Sequence, residues 1–229
     1  MLKRFLLPIF FASSLFANAV YSQISSDPPF LGDTAGIVNG RVLARKAYIT
    51  TFADITWQAP GQKHPLSQQE IVDAHRKTWD ALVVDAIIED GIEEKGITVT
   101  DSEVLSVLVN DPPEFLKNNF KDSSGVFHRQ EYLQTLHDPR NDSIVQAVIN
   151  TMKPTMRKEK FYKVLVAPVT VMITDDQLWD EFKKQKGASR KEFNSKKEEL
   201  RQEKQMSFLY AWIEASKGNA KIIDYRTIK

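Results

Sequence analysis

The 229-residue sequence contains no cysteine. Disulfides, thiol nucleophiles, thiolate metal ligands and a lipid-attachment cysteine are therefore excluded, and an ordinary hydrophobic core must stabilise any fold. A strong charge of one sign is also missing, since 31 basic residues face 30 acidic ones. If residues 1–22 are removed, Lys3 and Arg4 go with them and no acid does, which leaves 29 basic and 30 acidic residues. That balance argues against nucleic acid as a partner. Beyond residue 16 no apolar run is long enough to span a bilayer. The best candidate, Ala81 to Ile88, is broken by Asp85 and followed by Glu89 and Asp90, so the mature chain is expected to be soluble. Catalytic signatures are absent too: there is no Gly-x-Ser-x-Gly, no phosphate-binding glycine loop and no His-Glu-x-x-His. His64, His75, His128 and His137 sit in no catalytic pattern, and the nine-residue step from His128 to His137 does not give an i, i+4 pair. All four read as solvated histidines. The acidic run at 89–94 lacks the alternating ligand spacing of a calcium loop and reads as a solvated helix end. No metal and no cofactor is expected.

What is present begins with an export signal. Lys3 and Arg4 precede an apolar run from Phe5 to Phe16, which ends in Ala17-Asn18-Ala19. The run is shorter than the roughly 20 residues of a membrane span, so residues 1–22 are expected to be a cleaved signal peptide. Residues 23–35, rich in Ser, Asp and Pro, read as a linker.

From residue 36 the pattern is mainly α. Asn39-Gly40, between Gly36-Ile37-Val38 and Arg41-Val42-Leu43, is a hairpin signal. A first helix follows within 44–57, with Tyr48, Phe52 and Ile55 at helical spacing. Ser67 with Glu70 is a capping box that opens a long helix carrying Ile71, Ala74, Thr78, Leu82, Ala86 and Ile87 and ending near Gly96. Thr100 with Glu103 opens another, which Pro112-Pro113 interrupts before a short helix holding Phe115 and Leu116. A turn centred on Ser123-Ser124-Gly125 and a helix over 128–137 come next. After Pro139 a longer helix places Ile144, Val148, Met152, Met156, Phe161 and Leu165 on one face, with a bend at Pro154. Thr174 with Gln177 caps a helix carrying Leu178, Trp179 and Phe182. Beyond Gly187 a helix of nearly thirty residues aligns Phe193, Leu200, Phe208 and Trp212. Gly218-Asn219 ends it, and Ala220 to Ile228, with the β-prone Ile222, Ile223, Tyr225, Thr227 and Ile228, reads as a closing strand. A lone terminal strand needs a backbone partner, so the two ends of the mature chain are predicted to pair.

Ile37-Val38-Asn39-Gly40-Arg41-Val42-Leu43, leading into Ala44 to Tyr48, resembles the opening of SurA-, PpiD- and PrsA-type chaperones. Gly96 to Val104 is similar to that family's approach to a short helix. The order Phe115, Phe120, Gly125, Phe127, Tyr132 resembles its phenylalanine-rich turn, and 208–223 looks like its last helix and closing strand. The resemblance implies a helical chaperone domain with a small β element, split into an N-terminal region (36–170) and C-terminal helices with a closing strand (171–229) that pack back on it. Relatives carry parvulin-type prolyl isomerase domains of about ninety residues between these parts. Here only about thirty residues stand in that place, those from Gly187 to Gln205 charged and helical, so the isomerase domain is read as absent and the protein as not an enzyme.

The implied function is an ATP-independent chaperone of the periplasm, or of another extracytoplasmic compartment. Its partners would be unfolded or partly folded envelope proteins. Weak burial of apolar segments needs no catalytic group, and the expected client-binding residues are Phe115, Phe120, Phe127, Tyr132, Met152 and Met156. The alternative is a dedicated subunit or scaffold of an envelope complex with a chaperone-like fold. Its motivation is the stretch 183–204, where nine basic residues meet four acidic ones, a surface open to anionic lipid or to a partner. Terminal elements that pack on the other end of the chain also permit a homodimer by exchange.

Overall fold

The Asn39-Gly40 pair turns the chain in the left-handed region, at φ 51° and 86°. This closes an antiparallel hairpin of β1 (Thr34–Val38) and β2 (Arg41–Ala44), with Val38 opposite Arg41 and Ile37 opposite Val42. The computed structural model describes residues 32–58, 64–184 and 189–226. The expected signal peptide, most of the linker, and Thr227 and Ile228 of the expected closing strand lie outside them. Among the described residues are eight α-helices and one three-stranded sheet, so the chain is mainly α as its sequence implies. The helices are α1 (Arg45–Ile55), α2 (Gln68–Glu94), α3 (Asp101–Asn110), α4 (Glu114–Lys117), α5 (Arg129–Leu136), α6 (Asp142–Met172), α7 (Asp175–Phe182) and α8 (Arg190–Asn219). None of them is long and apolar enough to cross a membrane.

The three capping boxes form. Ser67 and Glu70 exchange backbone and side-chain hydrogen bonds ahead of α2, Thr100 and Glu103 do so at α3, and Thr174 and Gln177 at α7. At the other end of α2, Gly96 takes φ 60°, and the Ile97 amide donates to the Ile92 carbonyl at 3.0 Å, the wrap-around that stops a helix on a left-handed residue.

The described residues divide into two compact units, one of those up to Ile88 with those from Trp212 on, the other of those within Glu89–Ala211. In the first, the terminal strand β3 (Ile222–Asp224) pairs antiparallel with β1, so the sheet order is β2-β1-β3 and the two ends of the chain do pair. The hairpin turn itself joins in: the Asn39 amide donates to the Lys221 carbonyl, and the Lys221 amide donates to Asn39 Oδ1, each at 2.9 Å. Ala35, Val38, Leu43, Tyr48, Phe52, Ala74, Leu82, Val83, Ala86 and Ile87 form one core, with Trp79, Trp212 and Ala220 against it. Gly36 lies where Trp79 and β3 close on β1. A methyl there would land on the Trp79 ring and come within 2.5 Å of the Ile223 carbonyl oxygen.

Two apolar clusters of the second unit tie its helices in pairs among the described residues. Val104, Leu108, Ile149 and Met152 join α3 to α6, while Leu178, Phe182 and Phe193 join α7 to α8. Three sequence expectations are corrected. Ile144 is 62% exposed and Ile149 takes its buried place, because the apolar stripe drifts around a helix of 31 residues. Phe208 is exposed and its neighbour Leu209 is buried, for the same reason on the 30-residue α8. His75 is not solvated but buried between Tyr48 and Phe52, with its ring stacked on Phe52 at 4.4 Å. Pro154 lies inside α6, which continues as one helix through it.

Candidate functional site

The aromatic residues singled out in the sequence gather after α3, where Pro112-Pro113 denies the helix its next hydrogen bonds and redirects the chain. From there α4, a 3-10 turn over Asn118–Phe120, a tight turn and α5 follow within 23 residues. Phe120 and Phe127 flank the tight turn through a β-bridge between Lys121 and Phe127. Both rings pack on Tyr132 of α5, Phe120 edge-on at 5.3 Å and Phe127 tilted at 5.7 Å. Tyr132 is 3% exposed, and its hydroxyl donates to the Leu108 carbonyl at 2.9 Å. This satisfies one of the carbonyls left open at the end of α3. Arg129 satisfies the next, donating to the Val109 carbonyl at 2.8 Å. Burial pushes the Tyr132 phenol above its ordinary pKa, so it stays a neutral donor.

Asp122 holds the turn. One of its carboxylate oxygens accepts from the Ser124 amide at 2.9 Å, the Ser124 hydroxyl at 2.6 Å and the Val126 amide at 3.0 Å, and the other lies 3.2 Å from His128 Nε2. These donors, the Ser124 hydroxyl first, pull its pKa down to about 2. Gly125 supplies the left-handed residue of the turn at φ 82°. Asp122 was not among the residues first picked out, although Asp-Ser-Ser-Gly is the composition of a side-chain-closed turn and could have marked it. Lys121 with Glu114, and Lys117 with Asp111 at 3.6 Å, tie α4 to its flanks.

The result is a backbone fixed by polar groups with apolar side chains left at the surface. Phe115 is 51% exposed and Val126 58% exposed, whereas Phe120 and Phe127 are half-buried. Beside them the outer face of α5, from Arg129 to His137, lines an open depression of about 540 Å³. Tyr132 is the interior support of this edge and not part of its surface. Met152 is likewise interior, packed with Val104, Leu108 and Ile149, while Met156 is half-buried one turn farther along α6. Thus Phe120, Phe127 and Tyr132 meet as one cluster, and Met152 and Met156 belong to the α3–α6 core. Leu116, partly buried against that core, was also not singled out.

Charge is arranged to fix these elements. Lys160 of α6 donates to Glu103 at 2.9 Å and to the Thr98 carbonyl at 3.0 Å, which clamps the capping box of α3. The Thr100 amide and then Lys160 lower the pKa of Glu103 to about 2. Much of the basic stretch 183–204 is engaged within the chain: Lys197 and Arg201 pair with Asp175, and Lys204 pairs with Glu181. Arg190 lies over the Trp179 ring at 4.2 Å. Among the described residues no group of three or more His, Asp or Glu is placed to hold a metal ion.

No curated protein and no solved structure matches the chain. Residues 4–136 match the family model described as the SurA-like N-terminal domain, a span that reaches the end of α5 and contains Phe115, Phe120, Phe127 and Tyr132. The match covers more than half of the sequence, and the chain therefore belongs to the SurA-like N-terminal domain family, a chaperone-like family, as the resemblance of its motifs implied.

Proposed function

We propose that the protein is an extracytoplasmic, ATP-independent chaperone that holds extended apolar segments of envelope proteins and has no prolyl isomerase activity. The observation that carries this reading is the aromatic edge: Phe115 and Val126 stand exposed on a backbone pinned by Asp122, Tyr132 and Arg129. Rings held at the surface by a fixed backbone lose little entropy on contact, and their attraction is non-directional, which suits a variable client. Phe120 and Phe127 extend the edge, Tyr132 supports it from behind, and Met152 and Met156 belong to the adjoining α3–α6 core. The non-enzymatic part rests on 175–204, where α7 and the start of α8 build a small core of Leu178, Phe182 and Phe193 laced with ion pairs. Placement outside the cytoplasm rests on the signal-like residues 1–22.

The test is the aggregation of an unfolded outer-membrane β-barrel protein on dilution from denaturant, without nucleotide. Suppression at a few-fold molar excess is expected, and no suppression at that excess overturns the reading. One observation favours a second reading, a dedicated subunit: the last turns of α6 leave Val164, Val171 and Met172 exposed. Affinity capture returning one stoichiometric partner instead of many clients would select it.

A further inference from the structure

The paired chain ends enclose a charged cluster that no client-holding role requires. Arg226, two residues beyond β3, is almost fully buried, with 7% of its side chain exposed. Its guanidinium grips Asp224 through two hydrogen bonds, at 2.6 and 2.9 Å, and donates to the His75 carbonyl at 3.1 Å. It lies over the Trp79 ring at 4.3 Å and reaches the Tyr48 hydroxyl oxygen at 3.5 Å. That same hydroxyl is 2.9 Å from His75 Nδ1. One phenol oxygen thus accepts from a permanent cation and sits against the ring nitrogen of a buried histidine.

While His75 is neutral, the arrangement is satisfied. Tyr48 accepts from Arg226 and donates its own proton to His75, at Nδ1 or at the carbonyl 3.3 Å away. Charging the imidazole changes this, because the Tyr48 proton can then turn only to the His75 carbonyl, which already accepts from Arg226, and two positive charges converge on one phenol oxygen. We propose that the cluster is a proton-operated latch, in which charging His75 expels Arg226 and releases β3, with the end of α8, from β1.

The groups around His75 all bear on this. Tyr48 faces it from α1, Arg226 faces it from the terminal segment with Asp224 behind, and Asp73 and Arg76 flank it on α2 and pair with each other at 2.9 Å. Both oxygens of Asp224 are committed to Arg226. Burial first, and Arg226 second, depress the pKa of His75 below its ordinary 6.5. The sign follows. The unfolded or released state binds the proton more readily, so the latch is fully closed above the ordinary value and loosens as pH falls below it toward the depressed one. Trp79 and β3 both close on Gly36, so the same event would uncover β1.

The test is amide hydrogen exchange of the full mature chain at about pH 7.5 and about pH 5, which bracket histidine titration, corrected for the intrinsic pH dependence of exchange. Protection at 222–226 is expected to fall by about fivefold or more at the lower pH, while 121–128 stays unchanged. His75→Gln keeps a hydrogen-bonding side chain that cannot charge, and should reduce the response to less than about threefold. Wild-type protection equal at both pH values, or an undiminished response in His75→Gln, overturns the latch. Should His75→Gln fail to fold, Arg226→Gln decides: β3 should already be released at the higher pH with no further response to acid, and a normal acid response in that variant overturns the proposal.

Discussion

The sheet where the chain ends meet and the aromatic edge after α3 solve opposite packing problems with similar residues. At the sheet, charge is interior: Arg226 and His75 are buried among Tyr48, Phe52 and Trp79, and Ala35 and Val38 of β1 are covered. At the aromatic edge, charge is exterior: Asp122, Lys121 and Glu114 hold the backbone in solvent, and Phe115 and Val126 are each more than half exposed. A buried charge demands complete pairing, so the first region has two discrete arrangements, closed or open. An exposed polar brace carries little desolvation cost, so the second can hold a rigid turn and still leave apolar surface free for contact. Buried charge here serves closure, and exposed charge serves presentation.

The largest effect expected from disturbing this contrast is at Gly36. Gly36→Ala forces a methyl against Trp79 and the Ile223 carbonyl and should cost about 2–3 kcal/mol in chemical denaturation, with loss of β3 protection. Next is Tyr132→Phe, which leaves the buried Leu108 carbonyl without its donor and should cost about 1–2 kcal/mol while the edge remains exposed.

Acid should separate the two regions. Glu103 and Asp122 are depressed to about 2 from ordinary values of 4.5 and 3.8, so what they contribute is present above those values and lost as pH falls from there toward 2. Exchange at 121–128 should therefore survive the mildly acidic window in which 222–226 opens, and a single transition common to both segments would erase the distinction. The smallest effect on stability is expected from Phe115→Ser with Val126→Ser. Both side chains are exposed, and the loss should stay below about 1 kcal/mol in denaturant titration.

Much of this fold is legible in the sequence because its signals are local. Three capping boxes, the Asn39-Gly40 turn and the apolar closing strand each involve residues within a few positions, and each forms as expected. Pairing of the ends followed from a negative argument, that one terminal strand had only one other strand-like stretch to join. What the sequence hides is long-range. His75 and Arg226 are 151 positions apart, and neither periodicity nor a motif links them. Ile144 and Phe208 fail for a different reason: on helices of 31 and 30 residues a small error in the assumed period moves the stripe by a full position. The basic stretch at 183–204 looked free because Asp175 and Glu181 stand 22, 26 and 23 positions before their respective partners Lys197, Arg201 and Lys204. At the aromatic edge composition located the rings but not which of them faces solvent, since that depends on Tyr132 turning inward to Leu108.

The central claim is that the edge carrying Phe115 and Val126 holds unfolded clients. The direct measurement is aggregation of an unfolded outer-membrane β-barrel protein, by light scattering, in the presence of wild type or of the Phe115→Ser, Val126→Ser double variant at equal concentration. The account predicts strong suppression by the wild type and several-fold weaker suppression by the variant, with helical content and denaturation midpoint nearly unchanged. A variant as effective as the wild type would contradict it.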